Sequence, residues 1–261
     1  MWARGDYTQV GERLLPMGAV LLDACERAVG GLTATRLVDA ACGVGNVALQ
    51  AAARGATVTG VDLTPELLAL AADRADRAGH QIDWVTGDLA DPATADRATS
   101  RGPADVVASC AGHAFVPDTA ACTAAIAQML RSGGLFAYTA WARWPDDPFG
   151  RPLAPYVSVC SPDLMPFAWA DEQVAGARLT PFFDDVRVEH RRHDWEFASA
   201  RGAADWVMHV SPLHVAVMEG LTPAERAALR GRFVDAFTEH VDGDGAVRWS
   251  TPYVLVTARR R

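Results

Sequence analysis

The sequence predicts an α/β fold in which a parallel sheet is covered by helices on both faces. Short apolar segments with the character of strands alternate with helix-like segments about five times between residues 36 and 140, and such alternation is typical of parallel sheets. The strands are almost wholly apolar, as strands buried on both faces are. The length of 261 residues predicts one domain, residues 1–261, with smaller inserted segments.

Capping and turn residues locate the elements of the first half. An amphipathic helix over residues 9–29 ends at Gly30 and Gly31, because glycine commonly follows the last turn of a helix. Thr64 and Pro65 supply an N-cap and a first-turn proline for a later helix. The other elements expected here are strand 36–40, a helix from Asn46 to Gly55, strand 57–62, strand 82–86, strand 104–109, helix 117–130, a turn at 132–134 and strand 135–140.

The second half departs from this alternation. Six prolines between residues 143 and 170 predict a long irregular stretch, and such loops are usually functional or mobile. Thr222, Pro223 and Glu225 form a capping-box pattern, which predicts a helix. Apolar residues expected on that helix are Leu229, Phe233, Phe237 and Val241. The remaining expected elements are helix 171–177, strand 185–197, helices 199–209 and 212–220, and strand 247–258.

Charge and residue usage exclude several classes of protein. The net charge is −8, whereas binding to a phosphate backbone requires a basic face, so we expect no nucleic-acid partner. All 24 basic residues are arginine. Without lysine, the chain cannot be a Schiff-base enzyme, a Walker A nucleotide-binding protein, a Tyr-Lys short-chain dehydrogenase or a kinase.

Cysteine usage and hydropathy predict a cytoplasmic protein. The five cysteines are odd in number and lack C-x-x-C spacing, which indicates reduced thiols. The N-terminus has no apolar signal core. No stretch approaches eighteen consecutive apolar residues, so we expect no membrane partner.

A glycine turn followed by a distant carboxylate carries the main functional signal. The first strand leads into Gly43-Val-Gly45, where glycines allow a sharp turn and a close approach to a ligand. The second strand ends in Asp62, whose carboxylate can accept both hydroxyls of an adenosine ribose. Ligands of parallel sheets bind beyond the carboxyl ends of the strands. This pattern also suits a dinucleotide, since Ala48 is a common substitute for the third glycine of that motif.

Two further carboxylates favour an adenosine ligand with a methionine-like end. Asp39 lies four residues before Gly43; it can hold an ammonium group, and it would repel a pyrophosphate. Asp88 follows the third strand and suits an adenine amino group. In the competing structural interpretation, Gly43 and Gly45 are ordinary turn glycines, Asp39 is a helix-capping partner and Asp88 is a turn residue.

The ordered motifs resemble those of class I S-adenosylmethionine (SAM)-dependent methyltransferases. The resemblance rests on segments 38–46, 60–62, 87–88 and 130–135, within a match over about residues 35–142. More narrowly, the sequence is similar to the bacterial branch near the ubiquinone and menaquinone methyltransferases. The resemblance implies a Rossmann-like seven-stranded sheet of order 3-2-1-4-5-7-6 with the last strand antiparallel. It also implies SAM as cofactor and S-adenosylhomocysteine (SAH) as product.

The resemblance assigns a set of residues to the cofactor site. Tyr7 is included because its ring can face a sulfonium cation. The full expected set is Tyr7, Asp39, Ala41, Gly43, Gly45, Asn46, Asp62, Leu63, Asp88, Leu89, Ser109 and Cys110.

Three histidines are candidate catalytic residues, because histidine is an effective general base near neutral pH. His113 follows the fourth strand, where it can alternatively bond the backbone at a helix entry. His209 and His214 flank a proline turn in helices that cover the active site in related enzymes. Their spacing is not that of a helical metal pair, and H-E-x-x-H is absent, so we expect no metal. Amine and activated-carbon acceptors need no base.

The expected function is methyl transfer to an oxygen, nitrogen or carbon atom of a small molecule, such as a secondary metabolite. We expect residues 1–30 to form an N-terminal helix and lid, and segments 143–182 and 198–242 to cover the substrate. The alternatives are non-methylating SAM chemistry on the same fold, a nicotinamide-dependent oxidoreductase and a non-catalytic SAM sensor. The expected assembly is a monomer or a homodimer.

Overall fold

A seven-stranded sheet organises the computed structural model, which describes residues 2–156 and 166–261. The strands lie in the order β3-β2-β1-β4-β5-β7-β6, and β7 is antiparallel to both of its neighbours. The expected sheet order is therefore confirmed. The strands are β1 Arg36–Ala40, β2 Thr57–Asp62, β3 Ile82–Thr86, β4 Ala104–Cys110, β5 Leu130–Trp141, β6 Phe183–Phe197 and β7 Val247–Arg260.

Helices cover both faces of the sheet. The capping box predicted at Thr222 and Glu225 is present at the start of the last helix. None of the helices in the described ranges is long and apolar enough to cross a membrane. The helices are α1 Tyr7–Val29, α2 Asn46–Ala53, α3 Pro65–Ala78, α4 Pro92–Ala98, α5 Thr119–Met129, α6 Glu172–Leu179, α7 Ala200–His209, α8 Pro212–Glu219 and α9 Pro223–Thr238.

Alternating residues of the central strands form two separate cores. Leu135 and Ala137 of β5 belong to the core that packs against α1 and α2. Phe136 and Tyr138 belong to the core on the opposite face, with α5 and α6. Because successive side chains of a strand point to opposite faces, β5 is buried on both sides. This burial explains its almost continuous apolar sequence.

Two sequence predictions need correction, and one helix is not predicted. The expected turn at 132–134 lies inside β5, where Gly133 has a φ of +70° and the register against β4 shifts; the glycines form an irregularity within the strand. Helix α4 (Pro92–Ala98) is not expected from the sequence, because its seven residues are too few to show periodicity. Val241 is not on α9, which ends at Thr238, and it is 41% exposed.

The antiparallel pair of β6 and β7, whose strands are connected through α7–α9, extends beyond the rest of the sheet and carries a third core. Strand β7 pairs with β5 over residues 253–259, but with β6 over residues 247–260. In the protruding part, the Trp249 ring stacks on Trp195 and Phe197 at centroid distances of 6.0 and 5.7 Å. We call residues 193–253, which include helices α7–α9, the cover. Buried residues that α9 contributes to it are Leu229, Phe233 and Phe237.

Helix α1 links the cover to the rest of the molecule. The Arg13 guanidinium lies 4.0 Å from the centroid of the Phe197 ring and donates to the backbone carbonyl of Glu196 at 3.0 Å. At the helix start, the Asp6 backbone N–H donates to the Val210 carbonyl at 3.1 Å. The first turns of α1 therefore lie between the cover and the carboxyl ends of the strands. Part of the expected segment 143–182, residues 157–165, lies outside the described residues.

Candidate active site

The carboxylate of Asp39 lies at the carboxyl end of β1, next to the start of α2. Its Oδ2 accepts a 2.8 Å hydrogen bond from the Ala48 backbone N–H, so Asp39 does cap this helix. It is 1% exposed, and burial raises its pKa to about 7; nearby Asp62 adds to the rise and the bond from Ala48 opposes it. Asp39 also lines a cavity. Such a carboxylate is well suited to a cationic ligand.

The carboxylate of Asp62 holds the glycine turn in place. Its Oδ2 accepts from the Gly43 N–H at 2.8 Å and its Oδ1 from the Thr64 N–H at 2.9 Å. Gly43 and Gly45 have φ values of +54° and +78°, a region that strongly favours glycine. Each oxygen of Asp62 keeps a second acceptor position. The turn and the acid at the ends of β1 and β2 therefore form one fixed unit.

A cavity of about 30 Å³ lies between α1 and this turn. The Tyr7 ring packs so closely that a Cβ atom on Gly43 would lie 3.0 Å from Tyr7 Cε1. A Cβ on Gly11 would come within 2.6 Å of Asn46 Nδ2. Five of the expected cofactor residues border this space, namely Tyr7, Asp39, Ala41, Asn46 and Cys110.

The ends of β2 and β3 provide a second, more open part of the site. Leu63 is 60% exposed, which is unusual for a leucine next to a buried strand. Asp88 is exposed and its Oδ1 accepts from the Ala90 N–H at 2.8 Å. The side chain of Leu89, in contrast, is buried in the core. The structure thus brings an apolar surface and a carboxylate together, as an adenine ring would require. We call the carboxyl ends of β1–β3, with the residues that follow them, the carboxyl edge.

Comparison with known proteins identifies the family of this chain. Residues 37–134 match the family model described as a methyltransferase domain. An uncharacterized protein of Mycobacterium tuberculosis is 30% identical and aligns with 100% of this chain and 93% of its own length. Nocamycin O-methyltransferase of Saccharothrix syringae is also 30% identical, with 98% of this chain and 95% of that protein covered. The chain belongs to the class I SAM-dependent methyltransferases.

A solved structure supports the fold of this methyltransferase. Phosphoethanolamine N-methyltransferase 2 of Haemonchus contortus, in complex with phosphomonomethylethanolamine and SAH, superposes with a TM-score of 0.53 at 17% identity. The match covers 94% of this chain and 52% of that one. Membership of the SAM-dependent family, rather than this superposition, identifies SAM as the cofactor.

The residues at the carboxyl edge fit this cofactor chemically. With SAM bound at these strand ends, Asp39 would supply a buried negative charge for the ammonium group, and Asp62 would supply two oxygens for the ribose hydroxyls. Leu63 would offer an apolar surface to the adenine ring. The absence of side chains at Gly11 and Gly43 keeps the backbone of α1 and of the turn close to the cavity. Bound SAM supplies an electrophilic methyl group on a sulfonium, the chemistry that a methyltransferase needs.

Ser109 and His113 lie beneath the site rather than in its cavity. The Ser109 hydroxyl donates to the Ala40 carbonyl at 2.7 Å and accepts from the His113 backbone N–H at 3.0 Å, so it fixes the chain just after β4. The His113 ring is fully buried, with its centroid 4.5 Å from Tyr138 and 4.6 Å from Trp169. Burial lowers the pKa of His113 to about 3. The structure does not place this ring among the groups around the cavity.

His209 and His214 have structural partners in the cover. His209 is exposed, and its Nδ1 lies 2.8 Å from the Asp205 carbonyl oxygen. Both nitrogens of His214 are engaged, with Nε2 3.0 Å from the Phe149 carbonyl and Nδ1 2.7 Å from Ser211 Oγ. Burial lowers the pKa of His214 to about 4. Neutral His214 therefore donates to Phe149 through Nε2 and accepts from the Ser211 hydroxyl, which occupies the nitrogens that a general base would use.

Two residues that support the turn are not expected from the sequence. Arg74 of α3 donates to the Val44 carbonyl and, at 2.8 Å, to Asn46 Oδ1. The Trp84 ring covers the turn so closely that a Cβ on Gly45 would lie 2.9 Å from it. The sequence places Trp84 in a strand and indicates no contact with the turn. The sequence feature that could have indicated this contact is a tryptophan on β3, close to β2 and to the turn, which both contain glycine.

Proposed function

We propose that this methyltransferase transfers the methyl group of SAM to an oxygen atom of a small molecule. The observation that carries the proposal is the pair of buried carboxylates at the ends of β1 and β2: Asp62 is bonded to the glycine turn, and Asp39 to the first turn of α2. The oxygen acceptor is supported by the full-length similarity to an O-methyltransferase. The narrower likeness to the ubiquinone and menaquinone branch stays a prediction from the motifs.

In this proposal, the cofactor-binding residues bind and orient without taking part in bond making. Asp39 holds the ammonium group, Asp62 the ribose, and Leu63 and Asp88 the adenine. Bound SAM would supply the methyl group, SAH would leave, and a hydroxyl acceptor would lose its proton to solvent water; the main contribution of the enzyme would be alignment of the acceptor oxygen with the methyl carbon and the sulfur. An acceptor that is already ionised, such as a carboxylate, needs no base, which agrees with the engaged nitrogens of His214.

We further propose that the beginning of α1 is a lid. The cavity of about 30 Å³ holds roughly one water molecule, whereas ligand pockets usually measure about 300–1,000 Å³. Tyr7 fills much of the space beside Gly43. Outward movement of residues 1–11 would therefore admit the cofactor, and segments 143–182 and 198–242 would enclose the acceptor.

Product analysis tests the proposal. Purified protein is incubated with SAM carrying a deuterated methyl group and a set of phenols, carboxylic acids and amines, and the products are analysed by mass spectrometry. We expect a labelled methyl group on a hydroxyl or carboxyl oxygen. A label on nitrogen or carbon would correct the acceptor atom, and a converted product without added methyl would establish non-methylating chemistry instead.

A further inference from the structure

His193 is a buried histidine whose hydrogen bonding is incomplete. It is 6% exposed, and its Nε2 atom has no hydrogen-bond partner among residues 2–156 and 166–261. Burial lowers its pKa; Asp194 opposes this effect and Arg13 of α1 adds to it. Buried polar atoms are almost always paired with protein, water or ligand. The ring nitrogen of His193 therefore indicates a partner that the described chain does not supply.

The position of His193 in the sheet relates it to the carboxyl end of β5. Trp141 of β5 pairs with Tyr253 of β7, and His193 of β6 pairs with Thr251 of β7. Paired residues, and residues two apart on a strand, share one face of a sheet. Trp141, Tyr253 and His193 therefore lie on the same face, and the His193 ring centroid is 5.8 Å from that of Trp141.

This face continues into the cofactor cavity. Thr139, two residues before Trp141, contacts Met17 of α1 at 3.3 Å and donates to the Cys110 thiol at 3.6 Å. Cys110 lines the cavity that contains Asp39. Leu14 of α1 lines the same cavity and also packs against the aromatic core of the cover. Packed side chains under α1 thus connect the cavity, past Trp141, with His193, and outward movement of α1 would expose them together.

We propose that His193 hydrogen-bonds the polar group of the methyl acceptor, while Trp141 and Tyr253 pack against the apolar body of that molecule. The inference rests on the proposed function and names its substrate class: a planar, largely apolar molecule that carries a hydroxyl or carboxyl group. A neutral imidazole can accept a hydrogen bond from a hydroxyl or donate one to a carboxylate. Aromatic rings favour flat ligands because stacked and edge contacts stabilise them.

The other buried ring nitrogens without partners do not suit this role. His113 and Trp169 lie in the core on the opposite face of the sheet, against Phe136 and Tyr138. Trp249, with His240 beside it, lies near the start of β7, outside the segment that pairs with β5. Among the ring nitrogens without partners in the described ranges, Nε2 of His193 is the one beside Trp141, at the carboxyl end of β5.

Ligand binding to the SAH complex tests the inference. Phenol, naphthol, benzoic acid and naphthoic acid are titrated by calorimetry into the SAH-loaded protein and into the variants His193→Phe and His193→Gln. We expect at least one probe to bind the wild type. His193→Phe should weaken that binding about tenfold, which is the usual effect of losing one buried hydrogen bond. His193→Gln should recover part of the loss, because its amide can both donate and accept.

The matched control is His190→Gln on the same strand, where the exposed His190 ring lies 3.0 Å from Glu172. Its probe affinity should equal that of the wild type. Equal affinity in His193→Phe, as expected if Nε2 only binds a water molecule, would overturn the inference. Normal SAH binding with no probe bound by the wild type would also overturn it and leave the proposed function intact. Failure to bind SAH would instead contradict the proposed function itself.

Discussion

The carboxyl edge of β1 and β2 and the cover are built in opposite ways. At the edge, each carboxylate is fixed by backbone N–H groups: Asp39 by Ala48, and Asp62 by Gly43 and Thr64. In the cover, aromatic rings are held mainly by packing: the Trp249 ring stacks on Trp195 and Phe197, and its indole N–H has no partner in the described chain. Backbone bonds fix atoms in one position, whereas ring contacts tolerate different partners. The edge therefore suits one invariant ligand, and the cover suits a variable one.

The two regions should respond differently to mutation. Trp249→Ala removes a 6% exposed ring from the centre of the cover and should lower the free energy of unfolding by about 3–5 kcal/mol. SAH affinity should stay within about threefold of wild type, because Trp249 is remote from the edge. Urea unfolding and calorimetry measure the two quantities. The half-exposed Leu213 provides a control, and Leu213→Ala should cost about 0.5 kcal/mol or less.

Asp62→Ala removes one of the two buried carboxylates of the carboxyl edge. It removes the ribose acceptor and leaves the N–H groups of Gly43 and Thr64 without their carboxylate, so we expect SAH affinity to fall about 100-fold. Calorimetric titration measures the change. Asp83→Ala is the control, because Asp83 is a strand acid that pairs with exposed Arg101 at 2.9 Å. Equal SAH binding by the two variants would refute the assignment of Asp62.

Asp39→Asn should separate binding from stability. Because the pKa of Asp39 is about 7, SAH affinity of the wild type should rise between pH 6 and pH 8, as the carboxylate ionises and can attract the ammonium group. The variant should bind about tenfold more weakly at pH 8 and show no such rise.

The folded state favours protonated Asp39, so wild-type stability falls as the pH increases from about 4 to about 7. Thermal melts without SAH should therefore show a more stable variant at pH 8.

His113→Phe should have the smallest effect at neutral pH. The ring is buried among Phe136, Tyr138 and Trp169 with both nitrogens lacking partners in the described ranges, so an apolar ring of similar shape should change stability by less than about 1 kcal/mol. Its pKa of about 3 lies below the ordinary value of 6.5. The stability that neutral His113 contributes is therefore lost as the pH falls from about 6.5 to about 3, and the variant should lose less. Loss of methyl transfer with normal SAH binding would restore His113 as a catalytic candidate.

The edge could be predicted from the sequence because its determinants are local. Buried parallel strands give short apolar runs, and the glycines and acids that follow them occur at fixed spacings. Residues 36–110 consequently show their strands, the turn at Gly43 and the acids Asp39 and Asp62 directly. The short helix α4 could not be predicted, because one or two turns give no periodic signal.

The cover could not be predicted in the same way, because long-range packing determines it. The β6 segment contains His190, His193 and five charged residues between 189 and 196. The sequence therefore does not show which face of this strand is buried. His193 becomes buried only because it shares a face with Trp141 and Trp195 beneath α1. Conversely, His113 and His214 resemble catalytic groups from their positions in the chain, but their rings point into cores that the sequence does not reveal.

Calorimetric titration of SAH into the wild-type protein, with Asp62→Ala beside it, decides whether the carboxyl edge of β1 and β2 is a SAM site. We predict saturable binding at one site per chain, strongly weakened in the variant, and no binding of NADH. Absence of heat with SAH, or saturable binding of NADH in its place, would contradict the assignment.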